Sequence, residues 1–198
     1  MSALKNLRVV KVGGSLLSSS GLGDRILRWQ KRQPSVATIW VVGGGKLVDV
    51  VRDWQSDTPN VSSADAHWMS VDLMSVTAKM FAAMVDGWPI ESSMETLHEQ
   101  IRTGVQNVIF DCGSWLRNVE DLPCSWSVTS DSIAGRLAIE LSCRELVLLK
   151  SRAAAGETVA ENVAHGVIDE HFAKLKLRCD VSLVNLNSDV LQSSSVLV

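Results

Sequence analysis

Short runs of apolar, often β-branched residues recur along the chain, separated by stretches of mixed polarity. The runs fall at 7–12, 36–42, 107–112, 145–149 and 181–186. Each is nearly continuous in apolar residues rather than alternating, as in a strand covered on both faces. Between them the sequence predicts helices at roughly 22–32, 45–56, 64–85, 93–103 and 131–142, with a weaker one at 168–176. Strands alternating with helices predict an α/β fold, a three-layer αβα sandwich with a mostly parallel central sheet. No Pro- or Gly-rich linker, repeat or low-complexity block interrupts the pattern, so 1–198 reads as one domain with a full-sized core. The tail 192–198 reads as an edge strand or a loose end.

Ligands of such folds sit at the C-terminal edge of the strands. Polar residues at strand ends therefore carry the candidate chemistry. Lys11 lies among Val9, Val10 and Val12 and runs into Gly13-Gly14-Ser15. An ionised lysine on a covered strand needs an anionic partner or a route for its ammonium to solvent. A phosphate beside the glycines is the natural partner. The second strand ends in Gly43-Gly44-Gly45 without the spacing of a Walker A loop. Glycines there permit close backbone approach, to a ligand or to a neighbouring loop. Lys46 reads as a solvated first-turn residue.

Asp131 follows Val128-Thr129-Ser130 at the start of a helix, where Thr129 or Ser130 would cap and the helix dipole favours an acid. Its functional reading is an acid that orients a lysine near a transferred phosphate. Lys150 ends Leu146-Val147-Leu148-Leu149 much as Lys11 ends the first strand, and packing alone does not explain two such lysines. Arg52, on the helix after the triple glycine, is a candidate phosphate clamp or a surface arginine. His67, inside a long helical pattern, is a core or interface histidine or a donor to a substrate phosphate.

Composition narrows the function classes. The formal net charge of −3 gives no broad basic surface for nucleic acid. Cys112, Cys124, Cys143 and Cys179 form no C-x-x-C pair, and His98, His165 and His171 have no metal-ligand spacing. Met1-Ser2-Ala3-Leu4-Lys5 has no signal-peptide core, and no apolar run reaches the ~20 residues of a membrane span. A soluble, cytoplasmic protein without a membrane partner is expected.

Four segments resemble the amino-acid kinase superfamily, which includes acetylglutamate, uridylate and isopentenyl phosphate kinases. They are Val10-Lys11-Val12-Gly13-Gly14-Ser15-Leu16, Gly43-Gly44-Gly45, Thr129-Ser130-Asp131-Ser132-Ile133-Ala134 and Leu148-Leu149-Lys150. They occur in the family's order and span most of the chain. The short length, Ala66-His67-Trp68-Met69 and Ser125-Trp126 resemble the small kinases of methanofuran biosynthesis, which convert an aminomethyl-furanyl-methyl phosphate to its diphosphate with ATP. The resemblance implies an ATP-dependent phosphotransferase with Mg²⁺ carried by the nucleotide and a small phosphorylated acceptor.

It also implies roles. Lys11 would stabilise the transferred phosphoryl group, Asp131 would organise the lysines, and Lys150 would end the nucleotide-side strand. Gly13, Gly14 and Ser15 would hold nucleotide phosphates. The second glycine loop, Gly43, Gly44 and Gly45, would hold the acceptor with Arg52 and His67. A homodimer is expected from the resemblance and from exposed-looking tryptophans on helices such as Trp54 and Trp68. Family members usually continue after the lysine strand with a segment like T-x-V-D-G-V-Y. Here the chain reads Ser151-Arg152-Ala153-Ala154-Ala155-Gly156-Glu157, with no Asp-Gly pair. Two alternatives follow: a catalytically idle protein that binds a phosphorylated ligand, and a nucleoside monophosphate kinase.

Overall fold

A computed structural model describes residues 7–188 and 192–197. Seven strands form one sheet: β1 (Leu7–Val12), β2 (Ala37–Val42), β3 (Ile90–Glu91), β4 (Asn107–Phe110), β5 (Glu145–Lys150), β6 (Asp180–Asn185) and β7 (Gln192–Val196). Their order is β3-β4-β2-β1-β5-β6-β7, and every pair is parallel except β6–β7. The helices are α1 (Leu22–Lys31), α2 (Lys46–Ser56), α3 (Ser63–Ala82), α4 (Met94–Arg102), α5 (Gly113–Leu116), α6 (Ser130–Glu140) and α7 (Val159–Ala164).

The continuous apolar strands are explained by two cores, one on each face. Successive strand residues point to opposite faces. Leu7, Val9, Leu146 and Leu148 pack with Val71, Leu97, Ile133 and Leu137 from α3, α4 and α6. Val10, Val12, Val147 and Leu149 pack on the other face with Leu22, Ile26 and Trp29 of α1 and Phe81 of α3. The same parity decides the site. Lys11 shares the face of Leu7 and Val9, and Lys150 shares that of Leu146 and Leu148, so both lysines face the α6 layer. Three tryptophans are spent on the second core, where Trp29 stands edge-on to Trp40 at 5.8 Å and Trp88 lies 4.8 Å from it.

The elements follow the sequence pattern with instructive departures. The strand expected over 107–112 stops at Phe110, because the Asp111 carboxylate accepts from Ser75 Oγ (2.7 Å) and Gly113 N (3.2 Å) and turns the chain into α5. The helix expected over 168–176 is only a 3₁₀ turn at Phe172–Lys174. There Asp169 Oδ1 accepts from Phe172 N at 3.0 Å, a side-chain bond that competes with a helical start. Not foreseen were two-residue β3, short α5, and α7 with its Thr158–Glu161 capping box. The tail is an edge strand over Gln192–Val196, and Val198 and the first six residues lie outside the described residues. No helix among the described residues is long and apolar enough to cross a membrane.

The loops after β1 and β2 lie back to back at the C-terminal edge of the sheet. A Cβ at Gly14 would collide with the backbone of Gly45, and one at Gly45 with Gly14 O. Gly45 also has φ 57° and ψ −145°, a region essentially reserved for glycine. Gly14→Ala or Gly45→Ala should therefore destabilise the protein by roughly 2 kcal/mol or more in urea titrations. Gly21→Ala, at φ 65° with open space around it, should cost only about 1 kcal/mol. Equal losses at all three positions would show that the loop–loop contact contributes little.

Candidate active site

The N-terminus of α6 is fixed twice. Thr129 caps it, with Thr129 Oγ1 accepting from Asp131 N at 3.4 Å. From a distant segment, Asp169 accepts from Thr129 N (2.9 Å), Thr129 Oγ1 (2.8 Å) and Ser132 N (3.0 Å). A negative cap on a helix start is favoured by the free N–H groups and the dipole. With the first turn held, Asp131 faces the ends of β1 and β5. Lys150 Nζ donates to Asp131 Oδ2 at 2.6 Å, and Lys11 Nζ lies 2.9 Å from Asp131 Oδ1. Lys11 thus forms an ion pair with the second oxygen of the same carboxylate. The three side chains are 6%, 5% and 11% exposed for Lys11, Asp131 and Lys150.

Burial acts on these groups in opposite senses to charge. For Asp131, burial opposes ionisation, but the Lys11 and Lys150 ammoniums override it and hold the carboxyl down at about 2. For Lys150, burial lowers the pKa to about 8, although Asp131 pulls the other way. Two ammoniums against one carboxylate leave the cluster itself with an excess positive charge out of water, which the Asp169 carboxylate partly offsets at Lys150. Desolvated charge of this kind costs several kcal/mol per ion unless an opposite charge arrives. An incoming anion would offset the remainder.

Two clefts meet there. One, of about 340 Å³, is bounded by Gly14, Gly44 and Gly45, by His67 and Ser70 of α3, and by an apolar wall of Val48, Val71, Met74, Val128 and Ile133. The other, of about 710 Å³, is bounded by Asp131, Lys150 and the segment from Val163 to Glu170. Ser15, Arg52, Trp126 and Thr129 border both. The Arg52 guanidinium stacks 4.6 Å over the Trp126 ring, and Trp126 Nε1 donates to Gln55 Oε1 at 2.5 Å. Lys11 lines neither cleft and meets the site through Asp131.

The expected glycines divide into two groups. Gly14, Ser15, Gly44 and Gly45 have backbone N–H groups with no acceptor among the described residues. Gly13 N instead donates to Leu149 O (2.8 Å) and Gly43 N to Val12 O (2.9 Å). Their amides are committed to the strand ends, so neither is a free donor to a phosphate. Arg52 is exposed and Lys46 is solvated, while His67 is buried against the first cleft. Burial lowers the His67 pKa, with the Ser125 backbone working against it, so the ring is neutral at pH 7. Trp54 is exposed, but Trp68 is half-buried beneath the Arg117 guanidinium at 4.6 Å. No cluster of three His, Cys, Asp or Glu that could hold a metal occurs among the described residues.

The divergent loop after β5 is closely tied. Ser151 Oγ lies 2.9 Å from Ser15 Oγ. Fully buried Asn162 accepts from Ala155 N (2.9 Å) and donates to Gly156 O (2.9 Å) and Thr158 O (2.8 Å). Asp169 and Trp126 were not foreseen as site residues. Neither sits in a local motif: Asp169 acts on residues about forty positions away.

No protein-family model matches the chain, and no curated protein matches its sequence. Solved structures do match. The aspartate kinase from Synechocystis superposes with a TM-score of 0.68 at 14% identity, over 96% of this chain and 40% of its own. The uridylate kinase from Archaeoglobus fulgidus matches with 0.64 and 14%, over 96% of this chain and 99% of its own. The carbamate kinase from Giardia lamblia, bound to AMP-PNP, matches with 0.58 and 10%, over 98% and 99%. The chain has the amino-acid-kinase fold. At these identities the likeness establishes the fold alone.

Within this kinase fold Lys150 sets a pH signature with two opposite signs. Above about 8 it is neutral in the folded protein, while the unfolded chain keeps it charged up to 10.5. Folding stability therefore gains as pH rises through that window, and the anion site weakens. Affinity of the site for an anion such as inorganic pyrophosphate should fall by up to about tenfold per pH unit above 8. Titrations from pH 7 to 10 check this, and affinity that stays flat would remove Lys150 from the anion site.

Proposed function

We propose that this chain is a phosphotransferase that uses ATP–Mg²⁺ as donor and a small phosphorylated molecule as acceptor. The observation that carries the reading is the buried Lys11–Asp131–Lys150 cluster, with its excess positive charge, at the meeting point of two clefts. Such an arrangement suits phosphoryl transfer, where catalysis is mainly positioning and charge stabilisation. When bound, ATP–Mg²⁺ supplies the phosphoryl group and a divalent charge. The cleft beside Lys150, with the free amide of Ser15 at its edge, fits its phosphates. Lys150 would stabilise charge on the transferred group at the cleft and Lys11 from behind Asp131, and Asp131 would keep both ammoniums aimed. Arg52 and Trp126, bordering both clefts, would separate donor from acceptor.

The smaller cleft fits the acceptor. The free amides of Gly44 and Gly45 at the start of α2, with Arg52, offer donors to an acceptor phosphate. Neutral His67 would add a hydrogen bond without a charge. The apolar wall fits an uncharged ring or chain, and Asp49 is the one carboxylate on its lining. That combination supports aminomethyl-furanyl-methyl phosphate as the first acceptor to test, since its amine would lie near Asp49. A site in the cytoplasm and a homodimer remain part of the proposal. A catalytically idle binder is the second reading. The Ala153–Ala155 loop, which lacks the Asp-Gly pair of the resembled kinases, is the observation that favours it.

A screen of phosphate-monoester acceptors with ATP and Mg²⁺, followed by ADP release, tests the reading. An acceptor-dependent rate should appear and fall at least about 10³-fold in Lys11→Ala, with circular dichroism unchanged. Unchanged turnover in that variant would overturn the assignment of Lys11.

A further inference from the structure

At the opposite end of β5 from Lys150, roughly 20 Å away by strand rise, the fold brings two thiols together. Two residues past the end of helix α6 at Glu140, Ser142 has a left-handed φ of 48°, and Cys143 N donates back to Ala138 O at 3.0 Å. That reversal delivers Cys143 to the entrance of β5. The chain enters β6 alongside it, because the strands pair from Glu145 and Asp180 onward and Asp180 N donates to Arg144 O at 3.1 Å. Cys143 and Cys179 consequently stand at neighbouring strand entrances. Both line one cleft of about 500 Å³, with Lys176 and Arg178 beside them. Cys143 is buried and also donates to Glu145 O at 3.3 Å, whereas Cys179 is partly exposed to the cleft. The phosphoryl-transfer reading uses neither thiol.

We propose that Cys143 and Cys179 form an oxidation site that takes a small hydroperoxide and closes to a reversible disulfide. Cys179, the accessible sulfur, attacks one oxygen of hydrogen peroxide. The O–O bond breaks, the sulfur is oxidised by two electrons to a sulfenic acid, and one water leaves. Cys143 then attacks that sulfur. The S–S bond forms, the S–O bond breaks, and hydroxide leaves with the Cys143 proton as a second water. A dithiol reductant returns both thiols. The local geometry fits this order: the Cys143 proton is held by Glu145 O while Cys179 opens to the cleft, and the interaction between the two thiols lowers the Cys179 pKa, against its partial burial, and raises that of Cys143. The bond would tie the entrances of β5 and β6 and enclose the segment that carries Lys150, α7 and Asp169.

The test needs no phosphotransfer activity. The full chain is treated with a few equivalents of hydrogen peroxide, denatured, alkylated and mapped by mass spectrometry. Free thiols should fall from four to two, with the Cys143 and Cys179 peptides linked and the link reversed by dithiothreitol. In Cys143→Ser, Cys179 should stop as a sulfenic acid that dimedone traps. Alkylation of both thiols after peroxide, a link to Cys112 or Cys124, or a Cys179 that dimedone does not label in Cys143→Ser would each overturn the proposal.

Discussion

The carboxylate of Asp131 between two buried ammoniums is the constraint on which the rest of the site depends. Charge of this kind is tolerated inside a protein only where each member is paired and held in place. The surroundings supply that hold. Strand parity aims Lys11 and Lys150 at the same layer, and the double cap from Thr129 and Asp169 fixes the turn that carries Asp131. The pairing within the cluster is incomplete in charge, and the proposed anion site rests on that incompleteness.

The glycine loops border the same centre, and packing shapes them. Gly14 and Gly45 are glycines because two backbones touch there. Their contact brings the free amides of Gly14, Ser15, Gly44 and Gly45 into one patch beside the cluster. Structural demand and binding capacity coincide at these positions. At Gly13 and Gly43 they separate, since both N–H groups close strand ends.

Much of the fold was legible because continuous apolar runs of five to seven residues have few uses besides a covered strand. Lys11, Asp131 and Lys150 were legible for a related reason: a charge beside such a run demands a partner. What escaped was long-range. Asp169 caps a helix from another part of the chain, and Trp126 becomes a partition only when α2 brings Arg52 and Gln55 to it. Asp111 and Asp169 redirect their neighbours through side-chain bonds that no apolar pattern records. Trp68 looked exposed because its cover, Arg117, comes from a different helix region.

The most direct test of the account is calorimetric titration of ATP–Mg²⁺ at pH 7 into the wild type and Lys150→Met. That variant leaves Asp131 paired with Lys11 and the cluster neutral, so the fold should survive. The account predicts one-to-one binding to the wild type and a loss of about tenfold or more in affinity for the variant. No heat with the wild type, or equal affinity in a folded Lys150→Met, would contradict it.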